Sequence, residues 1–125
     1  MYAAGKEHPN RAPSKRLLER IVADEIDAAT DSEALQEILY RYWHLGLAPK
    51  GIALVNHVIQ IIPVILPVEK GDVLLASDLL KEHQSLEPRD AIHAAIMLNH
   101  GMTQLYSYDH HFEAVAGLKR LEPAN

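Results

Sequence analysis

Residues 86–112, LEPRDAIHAAIMLNHGMTQLYSYDHHF, are the stretch whose reading decides the fold. Proline suits a first helical position and glycine a helix end, so Pro88 is expected to open a helix that Gly101 closes. Within it Ala91, Ile92, Ala94, Ala95, Ile96 and Leu98 are apolar nearly all round, which predicts a buried helix rather than a surface one. Met102–Tyr108 then reads as an apolar strand, and Asp109 follows at its carboxyl end. In open α/β sheets that end is where ligands bind.

Working outward, the same alternation continues. Towards the C-terminus, Phe112–Val115 reads as a single turn and Leu118–Leu121 as a short last strand. Upstream, Val73, Leu74, Leu79 and Leu80 mark a helix ending near His83. Val64–Val68 reads as a strand that its prolines confine to an edge or a short pairing. Ile52–Ile61 reads as a helix, with Pro49–Gly51 as a break before it. Thr30 and Glu33 form a capping-box pattern for a helix running to about Gly46, with Leu35, Ile38, Leu39 and Tyr42 as its apolar stripe. Ile26–Thr30 reads as a buried strand. Pro13 and Ser14 open a first helix whose Leu17, Leu18, Ile21 and Val22 form a stripe, with Lys15, Arg16, Glu19 and Arg20 for the wet sides. Strands separated by helical crossovers predict an α/β fold with a parallel sheet covered by helices on both faces, in a single domain over residues 1–125. Met1–Asn10 is too short and polar for a full opening strand, so the sheet is expected to lack its first strand.

Composition narrows the function. The chain has 125 residues, 48% of them apolar, which excludes a disordered protein. With no cysteine there is no disulfide scaffold, thiolate metal site or cysteine nucleophile. The apolar run Ile61–Val68 is cut by Pro63 and Pro67, far short of the roughly 20 residues of a membrane helix, and a cytoplasmic location is expected. The net charge of −5 argues against broad adhesion to a phosphate backbone. Lys6, Arg11, Lys15, Arg16 and Arg20 nevertheless concentrate positive charge near the start. They read either as a local guide for an RNA strand or as a solvated helix face.

Three acids carry the chemical interest. Asp109 is either a turn aspartate that binds its own backbone or a ligand at a strand end. Asp90 is the third residue of its helix, where free amides and the helix dipole welcome a carboxylate. The buried character of that helix makes an aspartate at its opening a candidate to face a cleft. His93 lies one turn from Asp90 on the same side, and taken alone reads more readily as a hydrogen-bonded structural histidine than as a ligand. Glu37 lies about 160° from the Leu35–Leu39 stripe, and by periodicity alone reads as an exposed partner of Arg41. Acids gathered from separate elements repel, and a cation or a proton must offset the repulsion. Oxygen-only ligand sets suit Mg²⁺ or Mn²⁺, which activate water and stabilise in-line displacement at phosphorus. Sugar hydrolysis by paired carboxylates would need a larger cleft. The adjacent His110 and His111 diverge, no HxxxH pair falls on a helix, and zinc is poorly supported. The glycines form no phosphate loop, and no GxSxG nucleophile elbow occurs.

These segments resemble the motifs of PIN domains, particularly the VapC-type toxin ribonucleases. Ala34–Tyr42, with Glu37, is similar to the family's second motif; Leu86–Ala95, with Asp90, to its third, with Glu87 in place of the usual serine; and Leu105–Phe112, with Asp109, to its fourth, an apolar strand ending in Asp-x-x-Phe. The resemblance implies a parallel α/β sheet and Mg²⁺- or Mn²⁺-dependent cleavage of single-stranded RNA. It also implies metal and catalytic roles for Glu37, Asp90 and Asp109, a homodimer or higher assembly, and silencing by a small antitoxin. The family's first motif, a strand ending in an aspartate, has no counterpart: Met1–Gly5 resembles the stretch that follows it. Either the start has been assigned at an internal methionine, or the chain is a shortened form. The second possibility supports the alternative reading, a catalytically impaired binding module that grips an antitoxin-like helix. A longer form restoring the strand is expected to self-associate less, because an unpaired edge invites pairing.

Overall fold

The computed structural model describes Pro9 and residues 11–123, so the expected absence of the first strand falls on residues outside those described. The elements group into two compact units, one running up to Leu66, the other Pro67–Glu122.

The first unit carries α1 (Arg11–Val22), β1 (Ala29–Asp31), α2 (Ser32–His44), α3 (Ala48–Ile61) and β2 (Val64–Leu66). On α1, Lys15, Arg16, Glu19 and Arg20 are exposed as their positions predict, and Leu17, Leu18 and Ile21 are half-buried. Val22, assigned to the apolar stripe, is 65% exposed because it sits at the helix end. Strands β1 and β2 pair in parallel, Ala29 opposite Val64 and Asp31 opposite Leu66. The capping expectation is off by one residue. Asp31, not Thr30, caps α2, its Oδ1 accepting from the Ala34 N–H at 2.8 Å. The helix ends in a double closure, with Leu47 N–H donating to Tyr42 O and Gly46 N–H to Trp43 O. Gly46 supplies the required left-handed residue (φ 74°).

The Pro49–Gly51 break is instead the first turn of α3, for proline is tolerated there. Gly51 has a packing reason to be glycine. A Cβ built on it would lie 2.7 Å from Tyr42 Cβ, so α2 and α3 meet backbone to ring at this point. Gly51→Ala is therefore expected to destabilise the protein by about 1–3 kcal/mol through overpacking, despite alanine's better helix propensity. Urea denaturation followed by circular dichroism measures it, and a more stable variant would contradict the packing.

The second unit carries α4 (Lys70–Glu82), α5 (Pro88–Asn99), β3 (Gln104–Tyr106), a 3-10 turn (His110–Ala114) and β4 (Lys119–Leu121). β3 and β4 pair in parallel, with Leu105 opposite Arg120. Among the described residues the strands thus form two two-stranded parallel ladders rather than one continuous sheet. The expectation of a buried helix holds for α5: Ala91, Ala94 and Ala95 are fully buried and Ile96 is 1% exposed. The three alanines join Ala76, Leu79, Leu86, Phe112 and Val115 in the unit's core. Small side chains on this face let α4 and the 3-10 turn pack tightly on α5. Gly101 (φ 68°) closes α5 as expected, with Met102 N–H donating to Met97 O. At the start of α4, Asp72 is buried and accepts from Asn99 Nδ2 and from the Glu69 N–H, each at 2.8 Å. The Asn99 bond above all holds its carboxyl below the usual aspartate range. Among the described residues no helix is long and apolar enough to cross a membrane.

Candidate active site

Asp90 owes its place to the helix start. Glu87, in extended conformation, precedes Pro88, and Asp90 falls in the first turn of α5, among amides without helical acceptors. That setting favours a carboxylate, yet the Asp90 carboxyl is pushed above the usual aspartate range. Burial contributes most and the negative charge of Asp109 next, while His93 and Arg89 act in the opposite sense. The two acids, far apart in the chain, therefore feel each other in space.

Asp109 is positioned by a chain of bonds around the end of β3. Its backbone N–H donates to Ser107 Oγ at 3.0 Å, and its Oδ1 accepts from the His111 N–H at 2.9 Å. Oδ1 also faces His111 Nδ1 at 3.1 Å. Asp109 thus does what a turn aspartate does and also stands beside Asp90; the two readings of the sequence are not exclusive. Adjacent His110 and His111 diverge as expected, His110 Nδ1 lying 3.4 Å from Glu113 Oε1.

The residue that sequence reasoning missed is Arg120. On a last short strand next to Lys119 it reads as a solvated charge, and nothing in the local pattern says otherwise. Its side chain is only 9% exposed. Nη1 donates to Ser107 O at 2.9 Å and reaches Glu122 Oε2 at 2.7 Å, while Nη2 lies 2.9 Å from Glu113 Oε1. The guanidinium ties β4 to the segment on either side of Asp109, and its bond to Glu113 is the largest influence holding that carboxyl below its usual range.

Glu37 stands on α2 of the first unit. The exposed-face reading is corrected in part: Arg41 is exposed, but Glu37 is half-buried. The structure brings Asp90 and Asp109 together within the second unit. Among the described residues there is no group of three or more His, Asp or Glu side chains that could hold a metal ion. Chemically, the Asp90–Asp109 pair is a half-buried set of hard oxygen donors with mutual repulsion that a cation relieves. Such donors fit Mg²⁺ or Mn²⁺ rather than a soft metal.

The PIN domain family model matches residues 1–118. The chain is 37% identical over 121 residues to VapC ribonuclease Mb1869c of Mycobacterium bovis, a match covering 97% of this chain and 92% of the relative. The figures are the same for Ribonuclease VapC13 of Mycobacterium tuberculosis. Ribonuclease VapC23 of Mycobacterium tuberculosis is 34% identical over 113 residues, covering 88% of this chain and 86% of the relative.

Proposed function

Because the chain belongs to the PIN domain family, we propose that it is a divalent-metal-dependent endoribonuclease acting on single-stranded RNA, the toxin of a toxin–antitoxin pair. The observation that carries this reading is the Asp90–Asp109 pair, two carboxylates from separate elements, with the Asp90 carboxyl raised first by burial and then by the negative charge of Asp109. In this reading Asp90 and Asp109 hold Mg²⁺ or Mn²⁺, and Glu37 is added as the third acid by its resemblance to the family's second motif, with the role of holding the ion or its water ligands. When bound, the ion activates a water and offsets charge that develops at the phosphorus. The protein's own contribution is placement. The first turn of α5 orients Asp90, the bonds from Ser107 and His111 fix Asp109, and Arg120 keeps the loop around it from swinging. The partners are a small antitoxin and a second copy of the chain in a homodimer.

The test is cleavage of single-stranded RNA in the presence of Mn²⁺. Glu37→Gln is expected to lower the rate by about 10- to 100-fold, the usual cost of losing a group that orients a metal's ligands. A chain that neither cleaves RNA nor shows a saturable Mn²⁺ site would instead be a binding module on the same fold. Equal rates for parent and variant would remove Glu37 from the set.

A further inference from the structure

One face of α2 is aromatic and open. At 100° per residue, Glu37, Tyr40 and His44 share one side of the helix with Trp43 beside them, while Tyr42 turns to the opposite side. Tyr42 is buried, whereas Tyr40 is 58% and Trp43 64% exposed. The exposed rings are ordered on one another. Tyr40 and His44 lie nearly parallel, at 14° and 6.1 Å between centroids, and Tyr40 and Trp43 are 6.0 Å apart at 38°. Neighbouring exposed large apolar groups on such a surface mark a binding site rather than chance exposure.

The chemistry of the face says what binds. Aliphatic Leu39, at 41% exposure, flanks it, but its exposed centre is three π-faced rings, and Arg41, one residue on from Tyr40, is exposed as well. Aromatic platforms with adjacent cations hold unpaired bases, since every base has a π-face and every linkage a negative charge. We propose that Tyr40, Trp43 and His44 form a stacking platform for unpaired RNA bases. The proposal rests on the ribonuclease reading and deepens it: with about 1.5 Å rise per residue, Tyr40 and His44 stand roughly 4.5 and 10.5 Å along the helix from Glu37. At about 3.4 Å per stacked nucleotide, the platform holds bases about one to three nucleotides from a phosphate near Glu37. It is a specificity subsite for single strands, because a duplex hides its base faces.

Trp43 is the chain's one tryptophan, so its emission reports directly on the platform. In EDTA, a short single-stranded oligoadenylate is expected to quench it saturably, and the same strand paired with oligouridylate to do so much less. Tyr40→Ala and His44→Ala are each expected to weaken binding by about 5- to 150-fold. By anisotropy of labelled RNA, Trp43→Phe should keep most of the affinity that Trp43→Ala loses. RNA that binds by anisotropy without touching Trp43 emission, alanine variants that bind like the parent, or no RNA binding at all would each overturn the platform. A concentration-dependent shift in emission without nucleic acid, with dimers in sedimentation and no response to RNA, would assign the face to a second copy and overturn it too. Quenching without Mn²⁺-dependent cleavage would uphold the platform and fail the nuclease; cleavage without quenching would do the reverse.

Discussion

Asp90→Asn is expected to lower Mn²⁺-dependent RNA cleavage by about 100-fold or more while leaving the protein folded. A metal-held charge at phosphorus contributes several kcal/mol to the transition state, and each 1.36 kcal/mol is a factor of ten. The substitution keeps the shape of the side chain and removes its charge, so a loss of this size separates ligand chemistry from packing. In metal-free buffer the same variant carries a second signature. Burial and Asp109 raise the Asp90 carboxyl in the folded state. The folded protein therefore binds its proton more readily than the unfolded chain, and the parent loses stability as pH rises through the raised value. An asparagine side chain at this position has no such proton. Between about pH 4 and neutrality, the melting temperature of Asp90→Asn should move upward relative to the parent. The gain stays below about 1 kcal/mol because the site is half in solvent and screened. Added Mn²⁺ should then stabilise the parent and not the variant, by mass action on the folded state. A variant that cleaves like the parent, or a gap that does not change with pH, would break the link between the two acids.

The largest effect on stability is expected from Phe112→Ala. Phe112 is 5% exposed and packs in the core with Ala91, Ala94, Ala95 and Val115. Truncating a buried phenylalanine costs about 3–5 kcal/mol, a large share of the roughly 5–15 kcal/mol that holds a domain folded. The cavity would open beneath the 3-10 turn that begins directly after Asp109, so cleavage should fall with stability. Phe112→Leu, which keeps most of the volume, should cost far less and retain activity. Urea denaturation of the three proteins decides it: a Phe112→Ala midpoint within error of the parent would mean that the ring is not structural.

Much of this architecture was legible in one dimension. The all-round apolar surface of α5 announced its burial, Pro88 and Gly101 its ends, and the apolar run before Asp109 the strand that presents it. Errors fell where two neighbours competed for one role. Thr30 and Asp31 are both good caps, and the parallel pairing of β1 with β2 ends the strand at Asp31, which takes the cap. Leu39 fitted the core stripe of α2 yet is 41% exposed, while Glu37 on the supposed wet face is half-buried. Periodicity fixes the angles between side chains on a helix but not the direction from which the rest of the protein arrives. Gly51 read as a breaker for a similar reason: a missing side chain looks the same in sequence whether it loosens the backbone or makes room for Tyr42.

The residues by themselves determined the order and kind of the elements and the motifs that place the chain in its family, because propensity, capping and spacing are local properties. Only the tertiary structure decided that Asp90 and Asp109 share a field, that Arg120 is drawn inward to tie the Asp109 loop to β4, and that Tyr40 and Trp43 are left in solvent. Burial and Coulomb coupling depend on distance through space, and that distance is set when separate parts of the chain pack together.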